Sequence, residues 1–542
     1  MGVRLLVVAA LLALISPLAA QHEPPRLVVV LVADQFRADY PTLYGHQWTR
    51  GLRRLFDTGA VFPLAEYPYA LTVTCAGYAT IATGALPETH GMVGNEWYDR
   101  RLGKQVRCTE DASATSVPLD GGPGAERHGP GYLRVNTLAD ELRAQRERPS
   151  TVVSLSQKPR SAITMAGRPG PSTYVVWIEG NGSWATSSAY TPTAWPAVNR
   201  WAVKHPISAD YGRIWDRLLP VDQYRFVDDA PGEAEPRTFP HRLVSPNGVP
   251  DSAFATTWSR SPVSDAALGT LAQRLVTDLK MGQTPGGTDY LAISFAALDH
   301  VGHRFGPHSH EVQDTLAHLD RTLGALLTML DETVGRDQYV VAFSADHGVS
   351  PLPERMGLGT PAAGRYTTAN MRAVIETALT PFLGEGPHVL TSVGANVYLQ
   401  PAALDGLRRQ PSARAALRDA LTSMPAIDRV YFADELSARG TTDDVVLRMA
   451  RRSYFPGNSG DLMLILSPFW MAQSTSSMTT HGTPWGYDTR VPVLFAGAGI
   501  TPGRHLDPAS PADIAPTLAA VLGLTLTRVD GHPLTPALRS GK

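Results

Sequence analysis

Asp34, Asp299, His303, Asp346, His347 and His481 are the residues whose types and spacing could do chemistry together. Asp299 and His303 stand four apart in Asp299-His-Val-Gly-His, so on one helical turn, or in a glycine-containing loop, both can face one ion. Asp346-His347 places another carboxylate beside another imidazole, followed by Gly348, and His481 sits in a Thr-His-Gly context. Mixed Asp/His sets suit zinc, which accepts nitrogen and oxygen ligands in a tetrahedral site. Six ligands split three and three would hold two ions. Two ions about 4 Å apart can clamp the attacking and leaving oxygens of a phosphoryl transfer. Each motif alone is ordinary, because a lone Asp-His pair is usually a cap or a surface pair. The set as a whole points to metal.

Two further stretches fit that chemistry. Thr74 lies in Thr72-Val-Thr-Cys-Ala-Gly, and small residues from Ala76 onward suit the first turns of a tightly packed helix. A hydroxyl there gains from the positive end of the helix dipole, which also attracts phosphate oxygens. The competing role is plain helix capping, common for threonine. Lys158-Pro159-Arg160 follows an expected strand over residues 151–155. The residue before proline is held extended, and in extended chain Lys158 and Arg160 point to the same side, where both can reach one anion. Arginine offers a planar fork matched to phosphate oxygens. Solvated surface charge is the ordinary alternative for both.

These residues need elements to position them. Arg26 to Ala33, Tyr290 to Phe295, Tyr339 to Phe343 and Val491 to Phe495 are short apolar runs rich in Val, Ile and Leu. Such runs are the mark of parallel strands buried on both faces. Helical patterns alternate with them: Leu316, Leu319, Leu323, Leu326 and Leu330 make one apolar stripe, with further helices expected over 266–279 and 512–522. The expected fold is therefore α/β, a doubly wound, mostly parallel sheet with helices on both faces. Asp34 ends one run, Asp346 ends another and Asp299 closely follows a third. In such sheets ligands gather at the carboxyl ends of strands, so three strands deliver carboxylates to one edge. Residues near 180–262 and 350–460 break the rhythm and read as insertions on a single catalytic domain over 21–542.

Of 542 residues, 43% are hydrophobic and 18% charged, which suits a globular protein with a large core. A net charge of −2 carries no nucleic-acid or membrane-surface footprint. Arg4, the apolar run Leu5 to Leu18 and Ala19-Ala20 before Gln21 read as a secretory signal peptide over residues 1–20. The run is shorter than the roughly 20 residues a spanning helix needs, and no other segment could span a bilayer. A periplasmic or secreted protein is expected. Nothing in the sequence specifies an oligomer, and a monomer is the simplest expectation. Cys75 and Cys108, the only two cysteines, can pair in an oxidising compartment, but spacing does not decide it.

The stretches Val32-Ala-Asp-Gln, Thr72-Val-Thr-Cys-Ala-Gly, Gly94-Asn-Glu-Trp, Lys158-Pro-Arg, Asp299-His-Val-Gly-His, Ala345-Asp-His-Gly and Thr480-His-Gly-Thr-Pro closely resemble the PafA-type bacterial alkaline phosphatases. They span most of the mature chain in one order, and Asp513 to Gly523 looks like the superfamily's C-terminal helix. The resemblance implies hydrolysis of small-molecule phosphate monoesters through a phosphothreonine on Thr74. It implies two zinc ions, one on Asp299, His303 and His481, the other on Asp34, Asp346, His347 and Thr74. Asn95, Lys158 and Arg160 would contact the non-bridging oxygens. Thr72 is a second hydroxyl two residues away, and position before Cys-Ala-Gly favours Thr74. A sulfatase would need a Cys-x-Pro/Ala-x-Arg pattern, which is absent after Cys75. A nucleotide phosphodiesterase would keep the threonine and the six ligands but lack the Lys-x-Arg pair, so that pair favours monoesters, with diesterase activity left open. An inactive, metal-stabilised binding module would not need every catalytic side chain to be present.

Overall fold

The apolar run beginning at Arg26 forms β1 (Leu27–Ala33), with every residue buried. The protein is described by a computed structural model covering residues 23–357 and 362–539. The N-terminal run read as a signal peptide lies outside the described residues. β1 belongs to a ten-stranded sheet. Its partners are β2 (Ala60–Phe62), β3 (Ser116–Pro118), β4 (Val152–Ser156), β5 (Thr173–Ile178), β6 (Trp184–Ser187), β7 (Asp289–Phe295), β8 (Tyr339–Ser344), β9 (Val493–Gly497) and β10 (Gly503–Arg504). They are ordered β10-β2-β9-β8-β1-β7-β4-β5-β6-β3. β8, β1, β7, β4 and β5 form a parallel block. The register is in step: Leu27 of β1 faces both Asp289 of β7 and Tyr339 of β8. β8, β1, β7 and β4 therefore end together at one edge.

β9 departs from the expectation. It is nearly all buried, as its apolar run predicts, but it pairs with β8 antiparallel. Burial on two faces sets apolarity, whereas strand direction depends on how the connection returns.

Alternation along β1 shows why the sheet must be covered twice. Leu27, Val29 and Leu31 pack in one apolar cluster with Leu268 and Leu271 of α4 (Pro262–Asp278) and with Leu316, Leu319 and Leu323 of α6 (His310–Leu330). Val28, Val30 and Val32 pack in another with Tyr78 and Ile81 of α1 (Thr74–Thr83), Ile163 of α2 (Pro159–Ala166) and Leu518 of α7 (Ile514–Leu522). Successive side chains on a strand face opposite ways, so a strand apolar throughout demands helices on both faces.

Two segments add structure of their own. Between β6 and α4 lie short turns, the two-residue pairing of Ile214–Trp215 with His241–Arg242, and α3 (Ser252–Ser259). Strands Val389–Val393, Asn396–Leu399, Leu462–Leu466 and Ile427–Phe432 form a separate four-stranded antiparallel sheet. Met371, Ile375, Val397, Leu417 and Leu462 fill a core beneath it. Among the described residues, no helix is long and apolar enough to cross a membrane.

Cys75 and Cys108 form a disulfide, the question the sequence left open. It ties the first turn of α1 to a segment 33 residues away. Closing a loop of that length removes unfolded-state entropy worth about 3–4 kcal/mol in the chain-entropy account. Replacing both cysteines with serine should lower unfolding free energy by about 2–4 kcal/mol in denaturant titration. An unchanged midpoint would show that this tether contributes nothing to stability.

Candidate active site

The parallel block delivers its polar residues in strand order. Asp346 and His347 follow β8, Asp34 follows β1, Asp299 lies in the first turn of α5 (Ala297–Phe305) after β7, and Lys158 follows β4. Because the strands are adjacent and parallel, these side chains meet at one edge. His303 stands one turn beyond Asp299 on α5, and its Nε2 lies 3.2 Å from Asp299 Oδ1. His481 arrives from the segment before β9, with Nε2 3.9 Å from the same oxygen. His347 Nε2 is 3.2 Å from Asp346 Oδ2 and 3.5 Å from Asp34 Oδ1.

The three imidazoles share one arrangement. His303 Nδ1 donates to the Thr479 carbonyl at 2.7 Å, His347 Nδ1 to Gly348 at 2.9 Å, and His481 Nδ1 to Thr72 at 2.8 Å. A carbonyl only accepts, so Nδ1 carries a proton, and Nε2 is the nitrogen turned toward the carboxylates. This is how a protein orients histidine for a cation. Asp34 Oδ1, Asp346 Oδ2 and His347 Nε2 are buried and find no hydrogen-bond partner among the described residues. Bare carboxylate oxygens and an imidazole nitrogen in a dry site fit a metal ion better than they fit an apoprotein core.

The ligand-atom geometry forms two groups. Asp299, His303 and His481 bring theirs within 4.8 Å of one another, and so do Asp34, Asp299 and His347. Asp299 is therefore common to both, whereas the sequence placed it in one. Asp346 adjoins the second group through His347.

Electrostatics show the strain of this gathering. Burial, with repulsion from Asp346, pushes the Asp34 carboxyl up to about 8. Burial opposes charge on His347, but Asp346 and Asp34 outweigh it and raise the imidazole to about 9. Burial and the neighbouring His347 and His303 hold His481 well below its usual range. Burial opposes ionisation of Asp299, yet His303 and Lys158 hold it well below the carboxylate range. Lys158 is buried, and its ammonium donates to Asp34 Oδ2 at 2.7 Å and to Asp299 Oδ2 at 2.6 Å.

Thr74 is the first residue of α1, with Val73 at the cap position, so Thr74 does not serve as the cap. It is buried, and its neighbours tie it to the cluster. His481 bonds the Thr72 carbonyl, while Gly77 packs so closely on Asp346 that an added Cβ would sit 2.6 Å from the Asp346 Cβ. The Thr72 hydroxyl is committed to the Thr483 carbonyl at 3.0 Å, which leaves Thr74 as the available one.

Asn95 accepts the Cys75 backbone N–H through Oδ1 at 2.9 Å, which leaves its amide N–H groups for another acceptor. Lys158 is extended, as expected before proline, but Arg160 is not part of an extended strand. Pro159 opens α2 at its first position, where a missing N–H costs nothing, so Arg160 lies in the first helical turn. The Arg160 Nε is buried without a partner among the described residues. Asn95, Lys158 and Arg160 all line one cavity of about 390 Å³.

Residues 28–488 match the family described as type I phosphodiesterase / nucleotide pyrophosphatase, well over half of the chain. The chain belongs to this family. Alkaline phosphatase PafA of Elizabethkingia meningoseptica is 29% identical over 95% of this chain and 94% of that protein. Alkaline phosphatase PhoV of Synechococcus elongatus is 30% identical over 92% of this chain and 90% of its own. The crystal structure of wild type alkaline phosphatase PafA matches with a TM-score of 0.85 at 29% identity, covering 95% of this chain and 99% of that one. As a family member the chain is a phosphoester hydrolase, and its α/β fold is the PafA fold.

Gln35 is a residue the sequence showed only as part of a motif. It is fully buried, and its Nε2 donates to Asp299 Oδ1 at 2.6 Å while its backbone N–H donates to Asp346 Oδ1 at 3.2 Å. It thus braces carboxylates from two strands, and it does so from a left-handed backbone at φ 71°. Gly302 is needed opposite it, since an added Cβ there would collide with the Gln35 side chain. No local pattern announces a positive φ at glutamine. Gln35→Leu keeps the volume and removes the amide, so metal affinity should fall about 10–100-fold in competition with a chelator. Unchanged retention would deny Gln35 this role.

Both Asp34 and His347 are shifted upward, so the stability tied to their protonated forms is lost as pH rises. For Asp34 the loss runs from 3.8 to about 8, and for His347 from 6.5 to about 9. The melting temperature of chelated protein should therefore fall between pH 6.5 and about 9 more steeply than that of metal-loaded protein. Parallel curves would contradict the buried charge assignment.

Proposed function

We propose that this chain is an exported alkaline phosphatase that hydrolyses phosphate monoesters through a phosphothreonine on Thr74 at a two-zinc site. The full-length alkaline phosphatase relatives support the enzyme class, phosphoric monoester hydrolase. The observation that carries the mechanism is the convergence at one sheet edge of three carbonyl-tethered imidazoles, three carboxylates and a threonine at a helix N-terminus. Asp299, His303 and His481 would hold one ion, and Asp34, Asp346, His347 and Thr74 the other, with Asp299 facing both. When bound, the two zinc ions supply Lewis-acid charge that favours the Thr74 alkoxide and stabilises the leaving oxygen.

The chain's own groups do the rest. Thr74 Oγ forms a bond to phosphorus as the bond to the alcohol oxygen breaks, and the alcohol departs with a proton. Water then attacks the phosphothreonine, releasing inorganic phosphate and restoring the hydroxyl. The α1 N-terminus favours the phosphoryl oxygens. Asn95 and Arg160 donate to them, the first through the amide that Cys75 leaves free, the second through a guanidinium whose Nε has no partner among the described residues. Lys158 neutralises part of the carboxylate charge and adds a third donor, the second that is positively charged. A monoester carries one more negative charge than a diester, so this positive set favours monoesters. Hydrolysis of diesters is the second reading, favoured by the family description. The segments around 180–262 and 350–460 are read as insertions, the first of which shapes the pocket rim through Ala255, Thr256 and Ser259, and the disulfide fits an oxidising compartment outside the cytoplasm.

Turnover of p-nitrophenyl phosphate and of bis-p-nitrophenyl phosphate tests these roles. Thr74→Ala should lower monoesterase turnover by roughly three orders of magnitude or more. Arg160→Ala should cost the monoester about 10–100-fold and the diester less. Wild-type turnover in the threonine variant would move the nucleophile elsewhere, and equal losses on both esters would remove the specificity argument. Chelation should abolish activity and zinc should restore it.

A further inference from the structure

Arg242, Arg260 and Arg304 line a second cavity of about 550 Å³, between the Trp215–His241 segment and helices α3 and α5. None of the three forms an ion pair with a carboxylate among the described residues. Glu235 is the one carboxylate on the lining, and it is bonded to Arg237. The lining imidazole, His241, is bonded to Glu311 at 2.7 Å. Arg304 spends one N–H on the Glu235 carbonyl at 2.8 Å and keeps the rest of its fork. The Arg260 guanidinium has no hydrogen bond among the described residues, and burial together with repulsion from Arg304 lowers it from the usual range.

Unpaired guanidiniums that repel one another in a partly dry cavity raise the energy of the empty site. An anion entering there recovers that energy, and the guanidinium fork is matched to phosphate oxygens. The cavity is separate from the phosphoryl pocket. Helix α3 stands between them, with Ala255, Thr256 and Ser259 facing the phosphoryl pocket, whereas Thr257 and the following Arg260 face this one. Trp215 and Phe305 supply an apolar wall that suits an organic body attached to the anion.

We propose that this cavity is an accessory site that binds a phosphate group through Arg242, Arg260 and Arg304, independently of the catalytic centre. Calorimetric titration of the zinc-loaded enzyme with phenylphosphonate, whose carbon–phosphorus bond is not an ester, should show two binding events per chain. One should weaken in Arg160→Ala. The other should survive there and weaken about tenfold or more in Arg242→Ala and in Arg260→Ala. Arg242 is exposed, so its variant tests the site without disturbing the core. Inorganic phosphate as a second titrant separates the sources: weaker binding than phenylphosphonate assigns an organic phosphate, and equal binding assigns free phosphate. A single event in the wild-type enzyme, or a second event unchanged in both arginine variants, would overturn the proposal.

Discussion

Asp34, Asp299 and Asp346 are gathered in a dry pocket where their charges cannot coexist without cations. Everything around them answers that constraint. Lys158 donates to two of the three at once. Gln35 donates to Asp299 by its side chain and to Asp346 by its backbone. Three imidazoles are turned so that Nε2 faces the carboxylates, each fixed by a backbone carbonyl on its other nitrogen. Even so, Asp34 is driven up to about 8 and two carboxylate oxygens stay without partners. A buried charge deficit of this kind is the physical form of a metal requirement.

The sheet makes the gathering possible. Four neighbouring parallel strands end in register and each contributes a polar residue just beyond its last apolar one. The helix that carries Thr74 packs against the same edge with a glycine at its closest approach to Asp346. The Cys75–Cys108 disulfide and the bond from the Cys75 N–H to Asn95 then tie the turn that carries Thr74 to the cavity that Asn95 lines.

Much of this was legible in the chain because it depends on patterns of period two and on residue type. The apolar runs marked β1, β7 and β8 to within a residue or two, and the candidate ligands Asp34, Asp299 and Asp346 stood at or shortly after their ends. The stripe from Leu316 to Leu330 marked α6, all five leucines being buried. What could not be read depends on tertiary geometry. The direction of β9 follows from its connection rather than its composition. Arg160 left the extended form because Pro159 is equally suited to open a helix. The αL backbone of Gln35, the sharing of Asp299 and the pairing of two cysteines 33 residues apart require the folded coordinates.

How many ions this cluster holds per chain is directly measurable. Elemental analysis of purified, dialysed protein, divided by protein concentration from amino-acid analysis, counts them directly. A two-ion site predicts two zinc equivalents per chain, falling to one or fewer when Asp299, the residue common to both groups, is replaced by alanine. Full activity with one equivalent or none would contradict it.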